Sequence, residues 1–277
     1  MSTENALLTI LVEKIKNDTL VLPTLPAIAL KVRRAADDPD INLNAMGEII
    51  SQDPSLSARI IKISNSAYLG RTIKVTSVQQ AVTRIGLSQI KNISTALAME
   101  QLFVSKNELV KGYISKIWGY TIDTLSYAVA ALQLYSKTKQ RHVSMDSMTL
   151  AALVHNIGVL PILTEAERHE EVFANPTFLN AAILKLSGRI GAKIMRQWDF
   201  DEQFVIVAEK WRDMAYQPEE VAFIDFVRFG AAMAGIFDSK KDQVMQICLD
   251  KGIIENLEVL DSEDFMEARE SAKAAFS

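Results

Sequence analysis

Ala151-Ala152-Leu153-Val154-His155-Asn156-Ile157-Gly158-Val159-Leu160-Pro161 sets two polar side chains next to each other in an otherwise apolar run. The run reads as the end of a buried helix. Adjacent helical residues point about 100° apart, so His155 and Asn156 can line one cavity only where several helices converge. The stretch therefore asks for packed helices on all sides, and for a reason to keep an imidazole and an amide among them.

The rest of the chain meets the first demand. Its 277 residues can bury one large core or two joined ones, and 49% of them are hydrophobic. With only 11 Gly and 7 Pro, and with many Ala, Leu, Ile, Lys and Glu, the composition favours helices over strands. The sole cysteine, Cys248, leaves no intramolecular disulfide framework and fits a reducing compartment. Met-Ser-Thr-Glu-Asn at the start has no basic leader, and no apolar run is expected to approach the roughly 18 residues of a membrane span. A cytoplasmic protein without membrane association is expected. A formal charge of -4 argues against sequence-independent nucleic-acid binding.

Working outward, each segment carries helical punctuation. Leu7, Leu8, Leu11, Val12 and Ile15 recur at helical spacing, and Leu22-Pro23-Thr24-Leu25-Pro26 turns the chain into a helix carrying Ala29, Val32 and Ala36. Asn42 or Asn44 suits the cap of a third helix. Asp53 and Pro54 specify the start of a fourth twice over, as N-cap and first helical residue. That helix runs into Ser64-Asn65-Ser66-Ala67-Tyr68. Ser77 opens another, which Gly86 stops, and Ser88 leads into the next. A long helix follows through Ile114, Trp118, Ile122, Leu125, Val129 and Leu132. Beyond the His155 helix, Thr164 to Glu167 has capping-box spacing, and Asn175-Pro176 marks a turn. Helices are expected at 187–197, 201–213, 218–237 and 239–250, the third apolar almost all round. Asp261 or Ser262 suits the cap of a last one.

Four ordered motifs carry a family resemblance: Leu-Pro-x-Leu-Pro at 22–26, Asp53-Pro54-x-Leu56-Ser57, Ile63-x-Asn65-Ser66-Ala67-Tyr68, and Ser77 through Ala81-Val82 to Ile85-Gly86. Together with Trp118, His155-Asn156-Ile157-Gly158 and Gly191-Ala192 followed by Trp198, they resemble the HDOD domain, the output domain related to the HD phosphohydrolases. The resemblance spans about residues 20 to 215. It implies an all-α, multi-helical fold, usually regarded as non-catalytic, acting in bacterial signal output through contacts with partners. Two packed helical lobes are expected, 1–112 and 113–277.

The HD enzymes carry a consecutive His-Asp pair where this chain has His155-Asn156, and a neutral amide offsets a divalent charge poorly. Their earlier histidine would fall at Trp118 to Thr121, their later ones near Ser187 and near Lys210-Trp211, and their late aspartate near Arg228. None of those positions carries the ligand. His142 sits in a basic loop and His169 in an acidic helix, and both are expected at the surface. No catalytic residue, metal ligand or cofactor is therefore assigned. His155 and Asn156 are expected to hydrogen-bond inside a vestigial pocket.

The other signature residues have plain structural readings. Asp53 is most simply a helix cap, with partner binding as its other role, and Asn65 and Ser66 satisfy loop backbone groups. The glycines of Gly188-Arg189-Ile190-Gly191 lack the Walker spacing and suit close helix packing. Asp225 and Arg228, three apart, are expected to pair with each other. The function expected is a non-enzymatic signalling module that binds a protein partner, self-associates, or takes a regulatory nucleotide in the pocket. Within this length no attached receiver, cyclase or kinase fits, so input is expected in trans. The rival is a divergent metal-dependent phosphohydrolase acting on a nucleotide or other phosphate ester.

Overall fold

A computed structural model describes residues 3–66, 69, 74–139, 143–168 and 176–277. Among them every regular element is helical. The N-terminal part holds α1 (Thr3–Lys16), α2 (Ala27–Ala36), α3 (Leu43–Ser51), α4 (Pro54–Ser64), α5 (Val78–Ile85) and α6 (Leu87–Ala98). There follow α7 (Glu108–Lys139), α8 (Met145–Val154), α9 (Val159–Ala166), α10 (Pro176–Gln197), α11 (Glu202–Lys210), α12 (Phe223–Met233), α13 (Lys241–Asp250) and α14 (Glu263–Phe276).

The punctuation acts where the residues place it. The side chains of Asn42, Asp53, Ser77 and Ser262 accept hydrogen bonds from the backbone N–H of Ala45, Leu56, Gln80 and Phe265 respectively, so each satisfies an amide that the helix start leaves free. Gly86, at φ +86°, turns α5 directly into α6 through backbone that other residues adopt only with strain.

α8 is the element that positions the pocket. Every residue from Met148 to Val154 is buried, because α6, α7, α11 and α12 pack around it. A helix apolar on all sides has no solvent face to keep, and so it takes the centre. α6 also packs on α2, which joins the N-terminal helices to the rest, and α7 runs along α8, α12 and α14. α1 crosses to α9 and α10, with Lys14 on Glu165 at 2.6 Å.

Several expectations are corrected. Met145–Ala166 is long and apolar enough to cross a membrane by length and composition, although no such run was anticipated; 89% of its apolar window is buried inside the protein, and the chain breaks between α8 and α9. Thr164 caps nothing: it lies within α9, its hydroxyl donating to the Leu160 carbonyl. The segment 218–237 is helical only over Phe223–Met233. The expected 187–197 helix is the second half of the longer α10. Asp225 and Arg228 do not pair. Asp225 instead accepts from the Ala222 N–H and from Lys251 at 3.0 Å, which ties the start of α12 to the end of α13. Ala67, Tyr68, His142, His169 and Asn175 lie outside the described residues.

Candidate functional site: the pocket at the end of α8

α8 ends at Val154 because the chain turns through 155–158 before α9 begins at Val159. Pro161 falls in the first turn of α9, where a missing N–H costs nothing. Gly158 is required here. A Cβ at this position would overlap the Ser187 carbonyl oxygen, so α10 can cross this closely only over a bare backbone. Gly188 and Gly191 serve the same packing on the other side, against the Glu209 carbonyl and Ala208 of α11.

The turn leaves His155 only 1% exposed. Its Nδ1 lies 2.5 Å from the Ala152 carbonyl oxygen, which can only accept, so Nδ1 carries the proton and Nε2 presents a lone pair. Nε2 is buried and has no partner among the described residues. Burial lowers the His155 pKa to about 4, opposed by the Ala152 bond and reinforced by the positive charge of Arg212. The imidazole is therefore neutral at physiological pH. The Trp211 ring packs edge-on against it, with centroids 4.6 Å apart and planes at 87°.

Trp211 and Arg212 come from the end of α11, and Arg228 of α12 holds them in place. Arg228 donates to the carbonyls of Lys210 at 3.0 Å, Trp211 at 3.2 Å and Asp213 at 2.6 Å. These are carbonyls that a helix end leaves without partners, at the negative end of its dipole. From there Arg212 lies 3.9 Å over the Trp211 ring and donates to the Asn156 side-chain oxygen at 3.4 Å. Burial lowers its pKa to about 10, which leaves it charged at neutral pH. No carboxylate pairs with it among the described residues. The nearby acids are engaged elsewhere, Glu209 with Arg196 at 3.7 Å and Asp213 with Lys210 at 3.8 Å.

The resemblance to the HD enzymes raises a divalent ion, and the donor set does not fit one. His155 Nε2 is a single imidazole donor, the Asn156 oxygen already accepts from a guanidinium, and Trp118 to Thr121, Ser187, Lys210-Trp211 and Arg228 stand at the other expected ligand positions. Among the described residues no three His, Cys, Asp or Glu side chains gather as a metal site needs. A fixed guanidinium beside Asn156 also repels any second cation.

The remaining signature residues lie elsewhere and hold the chain together. Asp53 and Pro54 open α4, and Asn65 closes it. The Asn65 amide accepts from Val75 N–H and donates to the Val75 carbonyl, both at 2.7 Å, and the Ser66 hydroxyl donates to the Ile63 carbonyl at 2.7 Å. Trp118, half-buried on α7, packs against Phe103 with centroids 4.8 Å apart. Trp198 at the end of α10 donates its Nε1–H to the Pro23 carbonyl at 3.1 Å, which joins the first motif to the last. The resemblance places Trp211 at a ligand position, but neither its ring contact with His155 nor the approach of Arg212 to Asn156 is foreseen from the sequence. Each meets its partner across 56 positions, and no local spacing signals that.

The fold agrees with what the chain is similar to. A Shewanella amazonensis SB2B protein named "Putative metal-dependent phosphohydrolase" is 40% identical and superposes over all of both chains with a TM-score of 0.95. An HDOD domain protein of unknown function from Geobacter sulfurreducens is 18% identical, covering 96% of this chain and 89% of its own, with a TM-score of 0.56. A Marinobacter aquaeolei VT8 protein named "Putative signal transduction protein" is 18% identical, covering 99% of this chain and 65% of its own, with a TM-score of 0.60. A curated protein of Treponema pallidum (strain Nichols) is 26% identical over 211 residues, and this chain spans 39% of its length. The sequence profile of the HDOD domain matches residues 22–213. The chain belongs to the HDOD domain family, an all-helical relative of the HD phosphohydrolases.

Proposed function

We propose that this chain is a non-catalytic regulatory module of signal transduction. It holds a protein partner along the cleft between the lobes 1–112 and 113–277, and a small regulatory ligand tunes it from the pocket at His155. The observation that carries the reading is the contact of Arg212 with Asn156. A positive charge built into the protein occupies the side chain that stands in place of a metal-binding carboxylate. A site of this kind can recognise a ligand, but it lacks the acids and imidazoles that hold a divalent ion and activate water.

Two measurements on the full chain test the proposal. Capture from the native cell recovers one stoichiometric protein partner, and metal analysis of protein purified without chelator finds no bound transition metal. The name of the Shewanella relative motivates the second. Stoichiometric Mn, Fe or Zn, together with phosphatase or phosphodiesterase turnover that His155→Ala abolishes, would replace this reading with an enzyme.

A further inference from the structure

Beyond residue 213, where the family profile ends, α12, α13 and the short helical turn Glu258–Asp261 enclose a groove of about 380 Å³. One face of α13 forms a wall with Met245 and Leu249, flanked by Asp242 and Gln246 at the three- and four-residue spacing of neighbours on a helix. Met233 closes the groove from the end of α12, and Leu257 and Leu260 close it from the turn. Lys241 is the one base among the lining residues. The floor is therefore apolar, and Leu257 at its edge keeps 54% of its surface exposed. Apolar side chains gathered in an open groove with a polar rim mark a surface that another molecule covers. The two methionines suit that use, because their flexible side chains adapt to the shape that enters.

Charge states the chemistry of what covers it. From Lys241 to Glu267 the chain holds eight acids and two lysines, a net charge of -6, whereas all 277 residues together carry -4. The acid excess of the protein is concentrated around this groove. Asp242 on the wall, Glu255 before the turn, and Glu258 and Asp261 beside the two leucines are all exposed. Among the described residues only Asp264 of the eight acids has a cationic partner, Lys137 at 2.9 Å. Lys251, one of the two lysines, is held by Asp225. Such a surface attracts a cationic partner and repels an anionic one, an acidic membrane included. The apolar floor calls in addition for side chains that can leave water. A helix with apolar residues along one stripe and lysine or arginine beside it meets both demands.

We propose that this groove docks a basic amphipathic helix of another protein. Its apolar side chains enter between α13 and the turn Glu258–Asp261, and its cations face the surrounding acids. The surface goes beyond the regulatory reading above: its walls all lie outside the family profile, and it uses no residue of the pocket at His155.

The test is titration of the full chain with a fluorescent helical peptide that carries leucine at i, i+3, i+4 and i+7 and lysine elsewhere. It is expected to bind saturably, about 10-fold or more tighter than a peptide of the same composition in scrambled order. The matching leucine–glutamate helix is expected not to bind. Leu257→Ser, and separately Glu258→Lys combined with Asp261→Lys, should each weaken the leucine–lysine helix by about 10-fold. These positions are exposed, so the variants keep the fold. Val104→Ser combined with Glu108→Lys, at another exposed apolar residue and another exposed acid, should leave binding unchanged. Hydrogen exchange should show the bound helix protecting α13 and the turn Glu258–Asp261. The inference is overturned if the scrambled peptide binds as well, if Leu257→Ser binds as the wild type does, or if protection falls elsewhere. Self-association of the chain that Leu257→Ser abolishes would give the groove to a second copy and overturn it too.

Discussion

The two ends of α4 and the C-terminal end of α8 both carry clustered polar residues and use them in opposite ways. At α4, Asp53 satisfies the Leu56 N–H, Asn65 satisfies both backbone groups of Val75, and Ser66 bonds Ile63. At α8, His155 uses one ring nitrogen and leaves the other bare, and Arg212 has only a long contact to a neutral amide. Polar groups that shape a fold are matched within it, whereas polar groups kept for a ligand stay unmatched until the ligand arrives. The first region should therefore respond to substitution by losing stability alone, and the second by losing stability and binding separately.

The largest effect sharpens the geometry of the second region. Gly158→Ala places a methyl group into the Ser187 carbonyl, with backbone on both sides and no flexible side chain to yield. A loss of about 3 kcal/mol, or failure to fold, is expected in urea denaturation. Gly119→Ala is the control. It lies in the middle of α7 with open space at its Cβ, and gains up to about 1 kcal/mol of helix propensity. Equal stability of the two variants would mean that α10 does not approach as closely as described.

Acid comes next. His155 has a pKa of about 4 in the folded protein against 6.5 in an unfolded chain. Between those values the unfolded chain binds a proton that the folded one refuses. Stability is therefore unaffected above about pH 6.5, falls as the pH drops from there to about 4, and levels off below. The total loss is about 3 kcal/mol. His155→Gln should flatten this limb of a stability–pH profile measured by urea melts. A wild-type profile with no slope across that window would mean that the imidazole is solvated.

How far the sequence foretells these regions follows from the distance over which each residue acts. The Asp53 and Ser77 caps act within three positions, and the turn at Gly86 is equally local, so motif and spacing suffice to place them, while the last cap, open between Asp261 and Ser262, falls on Ser262. Asn65 reaches Val75 across ten positions and is readable only as a residue that satisfies some loop. The pocket is harder. His155 and Asn156 stand out as polar residues in an apolar run, but Trp211, Arg212 and Arg228 gain their roles by packing between α8, α11 and α12. Spacing misleads in that part of the chain. Asp225 and Arg228 look paired at three apart, yet Arg228 is drawn to the free carbonyls at the end of α11 and Asp225 to Lys251. Thr164 has the interval of a capping box but falls inside α9, because the turn at 155–158 starts that helix earlier.

A smaller effect tests the first region. Asn65→Ala removes both bonds to Val75 and leaves an N–H and a carbonyl of that residue without them, at a cost of about 2 kcal/mol in chemical denaturation. Asn65→Asp keeps the acceptor and loses the donor, so about half of that loss is expected. If both variants unfold with wild-type midpoints, the clip between residues 65 and 75 contributes nothing.

The smallest effect separates the two roles open to Asp53. As a cap, its carboxylate accepts from the Leu56 N–H at 2.9 Å and sits at the positive end of α4. Asp53→Ala should then cost about 1 kcal/mol, and Asp53→Asn, which keeps a capping oxygen, only a few tenths. As a docking residue, the negative charge itself would matter. Asp53→Asn would then leave stability intact and still reduce capture of the partner. Measuring melts and capture on both variants therefore decides the role, because loss of the cap and loss of the charge coincide in Ala and separate in Asn. The cap role is expected to hold: Asp53→Asn captures partner as the wild type does, and Asp53→Ala does so once the lost stability is restored by cooling.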